Sequence, residues 1–175
     1  MRTLFTAART AFFMTGFVVF WGWIALGVDR RWPLPLPDWT RAPGAVLIAL
    51  GATLALASAG AFVIWGRGTP APFDAPREFV AAGPYRRVRN PMYIGGLAVL
   101  AGFALYLRSG GILLASPVWL AFAHLFVLGY EEPHLREKFG PAYEQYCRSV
   151  SRWMPRLRTR TCPPPGSAAR WSPSG

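Results

Sequence analysis

The chain has 175 residues, 53% of them hydrophobic, and a formal net charge of +11 from 19 Lys and Arg against 8 Asp and Glu. A nucleic-acid-binding domain of that basicity spreads its charge over a soluble surface. Here the charge is segregated instead: residues 10–28, 42–66, 90–107 and 109–130 carry none, which argues against DNA or RNA as a partner.

Those runs of 19, 25, 18 and 22 residues approach or exceed the ~20 needed to cross a bilayer core as a helix. They predict an all-α integral membrane protein with about four transmembrane helices and a C-terminal cytoplasmic helical segment. The N-terminus, the 67–89 loop and the C-terminal tail together hold 15 of the 19 Lys and Arg. The positive-inside rule then places both termini in the cytoplasm. The remaining basic surplus suits anionic lipid headgroups.

Arg2 and Arg9 precede the first apolar run, an arrangement that also fits a secretory signal peptide with Ala25-Leu26-Gly27 as its cleavage site. Trp21 and Trp23 fit a membrane-interface belt better, so the run is read as a retained anchor. Residues 29–41, with two tryptophans and several prolines, form an interfacial connection on the outer side. In the second run Gly51, Ala55 and Ala59 recur at four-residue spacing, as expected where helices approach closely in lipid. A loop broken by Pro70, Pro72 and Pro76 follows.

The third and fourth runs are joined by only Arg108-Ser109-Gly110-Gly111 and must form an antiparallel hairpin. That brings Asn90, which opens the third, and Glu131-Glu132, which close the fourth, to one membrane face. Asn90-Pro91 reads locally as a helix N-cap followed by proline at the first helical position. The same helix end suits an anionic ligand group, and Tyr85 and Tyr93 offer aromatic faces for a cation. Ionised groups at a membrane boundary tend to be functional, although Arg89 or Arg136 could simply pair the two carboxylates. Pro117 is expected to kink the fourth helix.

His124 reads as a packed or hydrogen-bonded helix residue. With His134 it lacks a third ligand, so no metal is expected. Cys147 and Cys162 lie in the part expected to be cytoplasmic, where disulfides are rare. In residues 134–150, Gly140-Pro141 separates two short interfacial helices, and Tyr143, Tyr146 and Val150 share one face. That segment is either a membrane-surface helix or a lid. Walker A, dinucleotide-binding, nucleophile-elbow and zincin motifs do not occur.

Gly83-Pro84-Tyr85, Val88-Arg89-Asn90-Pro91, Tyr93 and Gly95 form the first part of a pattern. Glu131-Glu132, Leu135, Phe139-Gly140, Tyr143, Tyr146, Val150, Arg152 and Pro155 complete it. The pattern resembles the isoprenylcysteine carboxyl methyltransferase and phospholipid methyltransferase family of integral-membrane enzymes. The resemblance implies one membrane methyltransferase domain over residues 1–155, with its signature at 80–155, and a disordered basic tail at 156–175. It implies methyl transfer from S-adenosylmethionine, bound by Tyr85, Arg89, Asn90, Tyr93, Gly95, Glu131, Glu132, Tyr143 and Tyr146. Glu132 and Arg152 would be the catalytic residues. The partners would be a lipophilic small-molecule or lipid substrate and membrane lipids, in a bacterial inner membrane.

The activity implied is isoprenylcysteine-like carboxyl O-methylation of a lipophilic acceptor, with phospholipid N-methylation or small-thiol S-methylation as the alternatives. A non-catalytic role in binding or assembly is the alternative of another class. Asn90 stands where the family pattern usually has His, and an amide cannot titrate near neutral pH.

Overall fold

Across residues 2–66 and 80–155, which the computed structural model describes, every regular element is helical. The proline-broken stretch 67–79 and the expected tail 156–175 lie outside the described residues. Helix α1 spans Arg2–Arg31, α2 spans Arg41–Ala61, α3 spans Pro91–Leu107, α4 spans Gly110–Phe126 and α5 spans Glu132–Ser149. A π-helical turn extends α2 over Phe62–Gly66, and another, Val127–Glu131, carries α4 into α5.

Two helical stretches among the described residues are long and apolar enough to cross a membrane: Asp38–Gly66 and Gly110–Ser149. Their outward side chains, among them Leu50, Leu56, Val118 and Leu125, are apolar and exposed, as a lipid-facing surface requires. α3 has 17 residues, rising about 25 Å at 1.5 Å per residue. That is less than the ~30 Å hydrocarbon thickness.

α2 and α3 pack most closely, and glycine is the cause. A Cβ on Gly51 would lie 2.7 Å from the Gly95 carbonyl oxygen, and one on Gly95 would lie 2.7 Å from that of Gly51. Gly44 and Gly102 repeat the relation at 2.8 and 2.9 Å. The two pairs sit seven residues apart on antiparallel helices, so backbone rests on backbone along a seam that no side chain can enter. Ala55 and Ala59 are buried along the same face. Gly95, expected at the cofactor, therefore serves this seam.

The α3–α4 hairpin turns on two residues. Arg108 closes α3 in the left-handed conformation, φ 62°, and Ser109 caps α4 by accepting from the Ile112 amide at 3.0 Å. The chain after α1 is stitched to this turn. Leu36 N donates to the Arg108 carbonyl at 2.8 Å, Arg108 Nε donates to the Leu36 carbonyl at 2.9 Å, and Ser109 donates to Asp29. α1 rests on α4 through Trp21 against Trp119 and Phe122. α4 remains one helix through Pro117.

Replacing Gly95 with Val should cost at least the ~1–3 kcal/mol typical of overpacking, because backbone would have to move. Thermal unfolding in detergent is expected to show a lower Tm than for Gly96→Ala, whose added methyl meets the Trp119 ring edge at 3.1 Å. Equal melting of the two variants would refute the seam.

Candidate functional site

The tight hairpin returns the start of α3 and the end of α4 to the same level. Tyr93 donates its phenolic hydrogen to Glu131 Oε1 at 2.6 Å. The next residue points elsewhere, as neighbours about 100° apart on a helix must. Glu132, with 4% of its side chain exposed, accepts from Arg152 Nε at 2.7 Å on Oε1 and from its terminal nitrogen at 3.0 Å on Oε2. Arg89 lies 3.2 Å from Oε1, and Arg136 adds a looser contact at 3.8 Å. The Glu132 hydrogen bond raises the Arg152 pKa above its ordinary value, so the guanidinium stays charged. The arginine pairing expected as the plain alternative is thus present, centred on Arg152.

Residues 150–155 leave α5 and cross back over these helix ends. Arg89 N donates to the Ser151 carbonyl at 2.9 Å. Asn90 Nδ2 donates to the Arg152 carbonyl at 3.3 Å. Asn90 occupies the N-cap position of α3, yet its side chain makes no cap hydrogen bond. It pins the returning strap, whereas sequence alone suggested a side-chain cap.

α5 breaks at Gly140, which takes φ 50°, ψ −126°, a conformation glycine adopts most readily. Beyond the break, Tyr143, Tyr146 and Val150 form one buried face against Leu135 and Phe139. Tyr146 donates to the Tyr85 carbonyl at 2.7 Å. Burial raises the Tyr85 phenol pKa well above its ordinary value, so the group stays neutral.

A cavity opens between these parts. Tyr85, Arg89, Asn90, Tyr93, Glu131, Glu132, Tyr143 and Tyr146 all line it, so eight of the nine residues expected at the cofactor meet here. Gly95 and Arg152 are not in the lining; Gly95 packs on α2, and Arg152 acts through Glu132. Sequence reasoning missed the apolar wall, formed by Phe62 and Val80 together with Met92, Val127, Leu135 and Phe139. Only Leu135 and Phe139 carried any signal, as positions in the pattern. Arg89 holds a further feature: its terminal nitrogen reaches Cys147 Sγ at 2.7 Å, while Nε is buried without a hydrogen-bond partner. An orphaned buried donor costs about 1–3 kcal/mol. Arg89 is among the residues that line the cavity.

Fold and site together describe a helical protein, with two stretches long and apolar enough to cross a membrane and a cavity lined by polar, aromatic and apolar side chains. A family model for phospholipid methyltransferases matches residues 39–142, which is more than half the chain, and the chain belongs to that family of membrane methyltransferases. It is also similar to the nickel-cobalt-cadmium resistance protein NccN of Alcaligenes xylosoxydans xylosoxydans, 32% identical over 81 residues. That match covers 46% of this chain and 37% of the relative, so the chain spans well under half of that protein. No solved structure matches.

Removing Arg152 leaves Glu132 buried with less compensation. Arg152→Met should lower unfolding stability by about 2–4 kcal/mol, while Arg136→Met, at a half-exposed position, should cost under about 1 kcal/mol. Denaturant titration in detergent measures both, and equal losses would contradict the ranking.

Proposed function

We propose that this cavity binds S-adenosylmethionine and that the protein transfers its methyl group to a lipophilic acceptor in the membrane. The observation that carries the reading is a cavity lined by carboxylates, phenols and Arg89, whose buried Nε has no hydrogen-bond partner. The cofactor brings a carboxylate, an ammonium and a sulfonium, and the donor set suits each. Arg89 and the uncapped N-terminus of α3 supply hydrogen bonds for the carboxylate. Glu131 suits the ammonium or the ribose hydroxyls, and the rings of Tyr85, Tyr93 and Tyr143 suit a cation.

When bound, the cofactor would supply an electrophilic methyl carbon on a sulfonium, open to in-line displacement by an acceptor lone pair with a neutral thioether as leaving group. The protein's work is to align the acceptor and exclude water. Glu132 and Arg152 are read here as positioning residues that fix the strap and hold Arg89 in place. This revises the catalytic role expected of them from sequence. With Asn90 in the site, no proton transfer is assigned to that position. An acceptor that arrives as an anion, such as a carboxylate or thiolate, needs no base, which favours carboxyl O-methylation over amine N-methylation.

The membrane placement belongs to the same proposal. α1, α2, α3 and α4 are the four spans, with both termini in the cytoplasm of a bacterial inner membrane and the cavity facing the cytoplasm. The packing of α1 on α4 supports its retention as a span.

A tritium-labelled methyl group on S-adenosylmethionine is expected to appear in an organic-soluble product when the protein is incubated with membrane lipid extract. Glu131→Gln should weaken cofactor binding about tenfold or more, as loss of a charged hydrogen bond implies. Normal membrane insertion with no transfer to any extract component would favour a non-catalytic assembly role. A C-terminal green fluorescent fusion should fluoresce, and alkaline phosphatase fused after Pro37 should be active; the reverse pattern overturns the orientation.

A further inference from the structure

His124 lies seven residues before Glu131, two turns back along α4 and its π-helical extension, about 10 Å by helix rise. Its half-buried ring accepts a hydrogen bond: Trp153 Nε1 donates to His124 Nδ1 at 3.0 Å. An indole nitrogen can only donate, so Nδ1 carries no proton and Nε2 is the protonated nitrogen of the imidazole. Trp153 is itself fixed, because it follows Arg152, which Glu132 and Asn90 hold. A histidine tautomer in the membrane helix is therefore set by the clamp at the cavity.

The surroundings show what this group serves. Leu120 and Leu128, four residues to either side, share the His124 face and are exposed. Val127 and Glu131, three and seven residues on, line the cavity. His124 is not in the cavity lining itself but lies on the helix between exposed leucines and the lining residues Val127 and Glu131. The Tyr93 ring, whose hydroxyl binds Glu131, lies 6.5 Å from Trp153 and 6.1 Å from Trp119, so aromatic surface joins the two sides. A donor fixed there suits an amphiphile entering from the bilayer with a hydrogen-bond-accepting oxygen at its head.

We infer that His124, locked as the Nε2–H tautomer by Trp153, is a positioning residue that binds a head-group oxygen of the lipophilic methyl acceptor at the lipid entrance of the cavity. The inference rests on the methyltransferase reading and deepens it. Trp153 couples the two halves of the site, since the same strap that braces Arg89 and Glu132 sets the donor.

The test uses the full chain in lipid nanodiscs, carrying His134→Gln so that one imidazole reports. Nitrogen NMR should show the Nε2–H tautomer, and Trp153→Phe should give a mixture of tautomers. Palmitate, an oxygen-headed chain, should shift the Nε2 resonance, whereas hexadecylammonium, with the same chain and no acceptor, should not. His124→Phe should weaken palmitate binding about tenfold or more, and His124→Gln, which keeps a donor, should restore most of it. The subsite is overturned if palmitate leaves Nε2 unmoved, if both amphiphiles move it equally, or if His124→Phe binds palmitate as the parent does. S-adenosylhomocysteine binding, measured alongside, separates the levels. If it persists while the palmitate effects are absent, the subsite alone fails; if the parent protein does not bind it, the methyltransferase reading fails and the subsite falls with it.

Discussion

A buried carboxylate needs compensation wherever it sits, and here that requirement organises one end of the molecule. Glu132 draws Arg152 from the returning strap and Arg89 from the approach to α3 onto a single pair of oxygens. Once Arg152 is fixed, its carbonyl accepts from Asn90 and its neighbour Trp153 reaches His124. Arg89 is held so that its terminal nitrogen is shared between Glu132 and Cys147 while its buried Nε has no partner. The clamp thus places polar groups around a space without filling it.

The clamp works only because the helices beneath it are close and in register. Gly51 against Gly95 and Gly44 against Gly102 bring α2 onto α3 at backbone contact. The two-residue turn at Arg108-Ser109 then fixes α4 beside α3 at the opposite end of the helices. In a bilayer little hydrophobic gain is available between helices, so close glycine packing and a short turn do the aligning. The π-helical turn at Val127–Glu131 completes it, placing Glu131 toward Tyr93 and Glu132 toward the arginines.

Much of this was legible in the chain. The uncharged runs marked the helices, and the short link between the third and fourth placed Asn90 beside Glu131 and Glu132. The spacing of Tyr143, Tyr146 and Val150 named the buried face of α5, and Gly140 marked its break. Three features were not legible, each because it depends on a partner distant in sequence. Gly95 was placed at the cofactor by the resemblance alone, and nothing in its own segment reveals Gly51 across the seam. The Asn90 side chain read as a cap because local geometry cannot show the Arg152 carbonyl competing for it. Trp153 drew no attention because its meaning comes from His124, twenty-nine residues earlier.

The central claim is that the Arg89-bordered cavity is an S-adenosylmethionine site. Calorimetric titration of S-adenosylhomocysteine into the purified wild-type protein and into Arg89→Met tests it most directly. The account predicts saturable one-to-one binding by the wild type and a loss of about tenfold or more in the variant, because methionine removes the guanidinium donors assigned to the ligand carboxylate. Absence of binding by a folded, membrane-inserted wild-type protein, or equal affinity in the variant, would contradict it.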